Sequence, residues 1–554
     1  MGNFRDILRE LLGKIIGEPS PQSRQRPSVE DLRPNKQTGG GKNVEQPKQI
    51  SQQTPITQAS KKYSKVQMVQ IGSDGLSSKV NRTGSTARDP YFFQIGFDFG
   101  TSSSKAIIRD INTNRAWVYT DQFTTNHCSF LIPSVVICQD GNFERHLDAG
   151  TLYPENGLYH LKMAAEKVAM GISNIQILTE YKRILGLISS HTPSHITKLA
   201  CIYLLSSSFS DIISNIIQKF PNYGQNKDDQ IAINMAIPVS NISDNRVRSF
   251  FERILNISWK LSWKFNSFTR KISIADLAQE VEECERFIIE QGYNELCHVY
   301  PEVSANVQAF VRSPASSPDM RTIYFFSDTG AGTVDQSVFT YAGGEDRRLN
   351  YFSAGVFSRG SSQIEIAACG DTIDENNLEF WRKEKERGQD SPILNRAKVK
   401  VSEGLKADTT KTLKNTTKCL TYGKGGISPD NTLKERIKFI FSGGGHTEFP
   451  YQFAVITAYK EYLSTQKEPL ITSMARPHDL DVPKGYDHWV NRLYVAYGLS
   501  FLFHDLADNT FPSDNKIDKV KDITISMGNK SRQKCSCGGY NKNCLKCYGT
   551  GIVQ

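Results

Sequence analysis

Two glycine-rich stretches, about 230 residues apart, have the residue types and order needed to hold phosphate. The first is Phe97-Asp98-Phe99-Gly100-Thr101-Ser102-Ser103-Ser104-Lys105, which follows an apolar run and precedes another, Ala106 to Ile108, so it reads as strand, tight turn, strand. Glycine lets backbone amides approach phosphate oxygens, the hydroxyls of Thr101 and Ser102 add donors, and Asp98 at the strand end can hold water around magnesium. Asp328-Thr329-Gly330-Ala331-Gly332-Thr333-Val334-Asp335 repeats the design after the apolar run Ile323 to Phe326. Two such hairpins facing one another can clamp a polyphosphate. Either one alone is equally readable as an ordinary β-hairpin turn, since Gly, Asp and Thr serve there too.

A third element, Phe439 to Pro450, runs from a strand into the turn Ser442-Gly443-Gly444-Gly445-His446, where a nucleoside can lie close to the backbone. At the other end of the chemistry, Cys535, Cys537, Cys544 and Cys547 place four thiols within thirteen residues among glycines. That spacing suits tetrahedral thiolate coordination of zinc, with unliganded or redox-active thiols as the alternative. Nothing nearby supplies a general base and an open coordination position, so such a zinc site reads as structural and partner-binding.

The elements that must position these groups lie between about Tyr91 and Asp508, where β-rich runs mix with helical stretches in an α/β pattern. At 554 residues the chain allows roughly three to five compact units. Ahead of the ordered part, Phe4, Ile7, Leu8, Leu11, Leu12, Ile15 and Ile16 recur at helical spacing with charges between them, predicting an amphipathic helix over 1–17. Residues 18–90 are rich in Pro, Gln, Ser, Gly and Lys, too polar to bury a core, and read as a disordered basic linker. The helix is either a docking peptide for a partner groove or membrane surface, or folds back onto its own domain. The start lacks a Ser or Thr at position six, which argues against myristoylation.

Taken in order, the three glycine motifs resemble those of the actin, sugar-kinase and heat-shock ATPase superfamily, and within it the DnaK-type nucleotide-binding domains. Ile237-Pro238-Val239 followed by Arg246, Pro301-Glu302-Val303-Ser304-Ala305 and Val495-Ala496-Tyr497-Gly498 resemble further segments of that family in the family's order. The resemblance implies a two-lobed actin-like fold of duplicated ribonuclease H-like domains, with a first lobe over 91–320 and a second over 321–508. A linker over 509–534 then leads to the cysteine motif at 535–551.

By the same resemblance, ATP or ADP with magnesium is the ligand. Asp98 and Asp328 order the magnesium hydration shell; Gly100, Thr101, Ser102, Gly330, Gly332 and Thr333 line the phosphates; Asp335 is the second acidic position of its hairpin. Glu302 falls on the cleft glutamate that positions the attacking water, and the alternative is a residue favoured there only by the helix dipole. Lys162 falls near a phosphate-facing lysine, with a solvated surface lysine as the alternative. Gly444, Gly445 and His446 lie at the nucleoside. Two departures stand out: His446 replaces a serine, and Glu448 replaces an arginine that stacks on the base. The second half of the cysteine motif resembles a DnaJ-type zinc module. After Asp508 only about 45 residues remain, too few for a DnaK-type peptide-binding domain.

The formal net charge is +9, and 12 Lys/Arg against 6 Asp/Glu between Glu18 and Asp89 carry much of it. A basic tail of this kind allows weak nucleic-acid contact but lacks the concentrated basic face of a dedicated binder. Seven scattered cysteines read as reduced core residues of a cytoplasmic protein. No signal peptide is evident, and no uninterrupted apolar run approaches the ~18 to 20 residues that span a bilayer. The leading expectation is a DnaK-like ATPase that transmits nucleotide state to protein partners through its helix and zinc tail. The alternatives are a non-hydrolysing nucleotide-gated scaffold or filament subunit, and a small-molecule kinase.

Overall fold

Three successive strands, β1 (Phe92–Asp98), β2 (Ser103–Asp110) and β3 (Arg115–Val118), form an antiparallel meander that founds the first sheet. In the computed structural model, residues 88–121, 128–172, 192–237, 245–264, 271–312, 321–343, 347–388, 391–420, 427–446 and 449–510 are described. The amphipathic stretch 1–17, the linker up to residue 87, Thr447, Glu448 and the cysteine motif 535–551 lie outside the described residues. The chain divides into two units, Met1–Gln67 and Met68–Gln554, and every described residue falls in the second.

Beside β1 run β8 (Gln230–Ile237) and then β10 (Cys297–Pro301), both parallel to their neighbours. Beyond β3 runs β16 (Leu480–Asp481), also parallel, giving the order β10-β8-β1-β2-β3-β16 with β4 (Ile132–Pro133) attached to β2. A small sheet of β7 (Gly157–Leu158), β5 (Val136–Gln139), β6 (Asn142–Arg145) and β9 (Lys271–Ser273) stands apart.

The second large sheet repeats the first strand for strand. Its meander is β11 (Ile323–Thr329), β12 (Val334–Ala342) and β13 (Arg348–Phe357); β14 (Ile437–Ser442) and β15 (Leu470–Ile471) add in parallel on one side and β17 (Asp508–Thr510) on the other. Six strands in the same order and with the same relative directions are an internal duplication, although no short-period repeat is visible in the sequence. The mixed α/β architecture expected from the sequence is therefore present, with several sheets.

Apolar content explains the layering. The founding strands FFQIGFD and IYFFSDT are buried almost throughout, which is the signature of strands covered on both faces. Under the first sheet lies the helix Pro193–Lys219, started by Pro193 and by the Thr192 hydroxyl accepting from the His195 amide. It is long and apolar enough to cross a membrane by composition, but most of its apolar stretch is buried in the core against the helix Asn245–Lys264. The second sheet is covered likewise by the helices Pro392–Cys419 and Tyr451–Tyr462.

Between the sheets lies the helix Glu302–Val311. Its Val303, Val307 and Phe310 pack with Tyr324, Phe326 and Phe339 of the second sheet, whereas Ala305 and Ala309 pack with Ala496, Tyr497 and Leu499 beside the first. A β-carbon at Gly498 would overlap the Ala305 carbonyl, and one at Gly96 would overlap the Ala496 carbonyl. Glycine is thus required where the short helix Tyr494–Leu499 wedges against β1. Chain segments return across the 320/321 boundary: Leu480–Asp481 joins the first sheet and Asp508–Thr510 the second. Buried Arg109 anchors the return, pairing with Asp479 at 2.5 Å while its guanidinium lies 3.8 Å from the Phe501 ring centre.

Candidate functional site

Each duplicated meander turns through a hairpin of identical length. Asp98 sits opposite Lys105 in the first and Asp328 opposite Asp335 in the second. Gly330 donates its amide to the Thr333 carbonyl at 2.9 Å, closing the second turn, and a β-carbon at Gly100 would strike the Ser103 carbonyl in the first. Ser102 is held through its carbonyl, which accepts from the Ser134 amide at 2.9 Å.

The two turns meet. A β-carbon at Gly332 would lie 2.9 Å from Thr101 Oγ1 and 2.5 Å from Met163 Sδ, so an added methyl would have to displace side chains where the second hairpin touches the first. The helix Leu161–Ala169 brings Lys162, Met163 and Glu166 into this crevice. Its N-cap, His160, takes a left-handed backbone (φ 59°), and its buried ring is held at about pKa 4 by loss of solvent. His160 is therefore neutral near pH 7.

Lys162 forms an ion pair with Glu302, the first residue of the inter-sheet helix. Burial alone pulls the Lys162 pKa down, but the carboxylates of Glu302, Asp98 and Asp335 outweigh it, so the ammonium stays charged. Lys105 Nζ pairs with Asp98 Oδ2 at 2.6 Å. Asn306, one turn beyond Glu302 on the same helix face, donates to Asp328 Oδ2 at 2.9 Å and to Ser442 Oγ at 3.1 Å.

Burial, with Glu302 and Asp98 nearby, pushes Asp328 up to about 7, against the pull of Asn306 and Lys105. Burial and the charges of Glu302 and Asp328 push Asp335 well above the carboxylate range, against Lys162. One oxygen on each of Asp98, Asp328 and Asp335 is buried without a hydrogen-bond partner. Such atoms are costly to leave unpaired. Among the described residues no group of three or more His, Cys, Asp or Glu side chains is placed to hold a metal ion directly. The crevice, lined by Thr101, Lys162, Glu302, Thr333 and Asp335 among others, encloses only about 10 Å³.

The third glycine turn closes over the same carboxylates. Gly443 has φ 85°, and a β-carbon there would overlap Asp328 Oδ1. Gly445 donates to the Thr329 carbonyl at 3.0 Å, and His446 donates from Nδ1 to the Gly443 carbonyl at 2.5 Å. Burial lowers the His446 pKa, partly offset by that bond. Beside Gly444 stands Arg492, the end of the 3-10 turn Asp487–Arg492, with Nε 2.7 Å from where a β-carbon would be.

A polar stitch links residues 150–153 to the helices Ser362–Cys369 and Glu375–Glu386. Tyr153 donates its hydroxyl to Glu365 Oε2 at 2.7 Å, and buried Lys385 reaches Glu365 Oε1 at 2.7 Å and the Ser361 carbonyl at 3.1 Å. Arg382 Nη2 reaches the Gly150 carbonyl at 2.5 Å, and Glu379 accepts from the Leu152 amide at 3.2 Å. Tyr153, Tyr159, Val135 and Leu378 form a small apolar core around this stitch.

The structure thus brings together Asp98, Thr101, Lys162, Glu302, Asp328, Gly332, Thr333 and Asp335, with Gly443 to His446 adjoining Asp328. Sequence reading assigned no role to Lys105, Asn306, Glu166, Ser442 or Arg492. Lys105 and Asn306 had local signals: a fixed offset from Asp98, and the i+4 position from Glu302. Arg492 is distant from every glycine motif and had none. The seven described cysteines form no disulfide, and the four-thiol motif lies outside the described residues.

No family model matches the sequence, and no curated protein matches it. Among solved structures, a 15-stranded ParM filament from Clostridium botulinum is similar at 11% identity with a TM-score of 0.35, over 74% of this chain and 98% of that one. Likeness at that level fixes neither fold nor function.

Proposed function

We propose that the chain binds ATP with magnesium between its two hairpins and hydrolyses it, in a two-lobed core of the actin-like and DnaK-like kind. One observation carries this reading: two copies of one sheet each carry an aspartate-bearing glycine hairpin, and the copies abut, with one oxygen each of Asp98, Asp328 and Asp335 unpartnered and with Lys105 paired to Asp98 and Lys162 to Glu302. A lone hairpin turn does not need that arrangement. A polyphosphate clamp does.

The residues divide the work by charge. Amides around Gly100, Thr101, Ser102, Gly330, Gly332 and Thr333 donate to phosphate oxygens. The free oxygens of Asp98 and Asp328 hold the water shell of magnesium, which when bound neutralises charge between the terminal phosphates. Lys162 opposes charge developing at the terminal phosphate. Glu302, released from Lys162 as that ammonium turns to phosphate, orients the attacking water. We take ligand entry to involve parting of the contact between Tyr153 and Glu365, which joins residue 153 to the helix Ser362–Cys369. Lobe opening is thereby coupled to ligand exchange.

Calorimetric titration of the full chain with ATP, ADP and GTP, with and without magnesium, together with phosphate release, tests this. Binding and turnover in the wild type, both lost in Asp328→Ala, are expected; equal rates defeat the catalytic part. A second reading, a nucleotide-gated scaffold or filament subunit without turnover, is favoured by the engagement of Glu302 with Lys162. It predicts ATP binding, no phosphate, and ATP-dependent sedimentation if the chain polymerises. A cytoplasmic setting belongs to the same reading. Partner contacts through 1–17 and a zinc site at Cys535, Cys537, Cys544 and Cys547 complete the proposal. Metal analysis of the full chain against Cys544→Ser/Cys547→Ser tests the zinc.

A further inference from the structure

We propose that Asn306 is a positioning residue for Asp328, turning one oxygen of that carboxylate toward magnesium, a role that rests on the crevice being a magnesium nucleotide site. An aspartate carboxylate rotates in a broad, roughly two-fold well, so its own rotamer does not fix which oxygen faces a ligand. A hydrogen bond to one oxygen does. Asn306 Nδ2 donates to Asp328 Oδ2 at 2.9 Å, whereas Asp328 Oδ1 is buried with no hydrogen-bond partner among the described residues. Gly443 leaves Oδ1 its space, since a β-carbon there would lie 2.2 Å from it.

The amide is itself held. Asn306 is 1% exposed, on the helix Glu302–Val311 between the two sheets. Ser442 Oγ lies 3.1 Å from its Nδ2 and 3.2 Å from its Oδ1, and the hydroxyl can donate to that amide oxygen. Asp328 and Ser442 are register partners at the ends of the parallel strands β11 and β14. One side chain from the helix thus pins the ends of two adjacent strands, one turn from Glu302 on the same face.

The first hairpin reaches the same result by another route. Lys105 engages Asp98 Oδ2 at 2.6 Å, and Asp98 Oδ1 is likewise buried and unpartnered among the described residues. Both strand-end aspartates therefore have one oxygen taken and one left. The holders differ in charge: the ammonium of Lys105 offsets Asp98, whereas the neutral amide of Asn306 orients Asp328 without adding a charge that would compete with a cation. Groups that orient a metal-facing side chain from behind are worth about 10- to 100-fold in metal affinity.

Calorimetric titration of the full chain with ATP, in excess magnesium and in EDTA, tests the assignment for wild type, Asn306→Ala, Asn306→Leu and Ser442→Ala, with a thermal melt of each. In Asn306→Ala and Asn306→Leu the tightening of ATP by magnesium should shrink by about 10- to 100-fold, while affinity in EDTA stays at the wild-type value. Ser442→Ala keeps the donor to Asp328 and should keep most of the magnesium gain. Asn306→Leu also keeps the side-chain volume, so one folded variant lacking the donor suffices. Affinity lost equally with and without magnesium would show that Asn306 only supports the fold, and overturns the proposal. An undiminished magnesium gain in a folded variant also overturns it and leaves the nucleotide reading intact. A wild type that binds no ATP, or binds it no better with magnesium than without, sinks both.

Discussion

Lys105 and Asp335 stand on the same rung of two copies of one hairpin, opposite Asp98 and Asp328 respectively. One copy pairs its strand-end aspartate with a lysine, and the other sets a second carboxyl group opposite it, where burial and crowding raise the pKa of both. The duplication is therefore exact in backbone plan and opposite in electrostatics. An anion with a bound cation is the kind of ligand that such a polarised cleft accommodates.

Opposite effects on the empty protein follow. Lys105→Met strands Asp98, whose side chain is almost fully buried, and breaking a buried pair costs about 3 to 5 kcal/mol. Asp335→Asn removes one of several crowded carboxylates and should raise stability by about 1 kcal/mol or more. Denaturant melts at pH 8 without nucleotide measure both. Shifts of the same sign would mean that the carboxylates do not share one field.

Stability should also depend on pH through Asp328. Its pKa rises from 3.8 unfolded to about 7 folded, so between those values the folded state holds the extra proton. Stability contributed by that proton is present below about pH 4 and is lost as pH climbs to about 7, at about 1.4 kcal/mol per unit at most. Asp328→Asn keeps an acceptor for Asn306 and removes the titration. Thermal melts from pH 5 to 8 should show the variant gaining on the wild type as pH rises; parallel curves would refute the shift.

Much of this site was legible because its signals are local. Asp98 and Asp328 each sit at the end of an apolar strand before a glycine turn, and Glu302 opens a helix, so short windows carry them. Lys162 was placed only by its family resemblance, yet its burial beside Glu302 brings it to the crevice. A duplication was implied by the family resemblance and by the repeated hairpin design, but its edge strands were not legible, since β15, β16 and β17 have two or three residues each and no periodicity to read. Nor was the return of Leu480–Asp481 to the first sheet, which depends on Arg109 meeting Asp479 across 370 positions. Hydrophobic patterning reports what an element buries, not which distant element covers it.

Contact between the hairpins should be sensitive to one added methyl. A β-carbon at Gly332 meets the Met163 sulfur and the Thr101 side chain, both able to yield slightly, so Gly332→Ala should fold at a cost of about 1 to 3 kcal/mol. Gly332→Val cannot be absorbed by the same movement and should hold the turns apart. ATP affinity is expected to fall in the order wild type, alanine, valine. Equal affinities would place phosphate somewhere other than this junction.

The stitch between Tyr153 and Glu365 should set how fast nucleotide leaves. Tyr153, Glu365 and Lys385 form a buried network in a small apolar core distinct from the two main ones, so weakening it need not unfold either sheet. Tyr153→Phe removes one hydrogen bond to a carboxylate, about 1.5 to 3 kcal/mol, while keeping the ring against Tyr159 and His160. If opening limits release, that loss appears as an exchange rate faster by about tenfold or more. Stopped-flow displacement of a fluorescent ATP analogue measures it, and a melt of the same variant checks that the fold persists. Exchange unchanged in Tyr153→Phe and in Glu365→Gln would show that the crevice opens elsewhere.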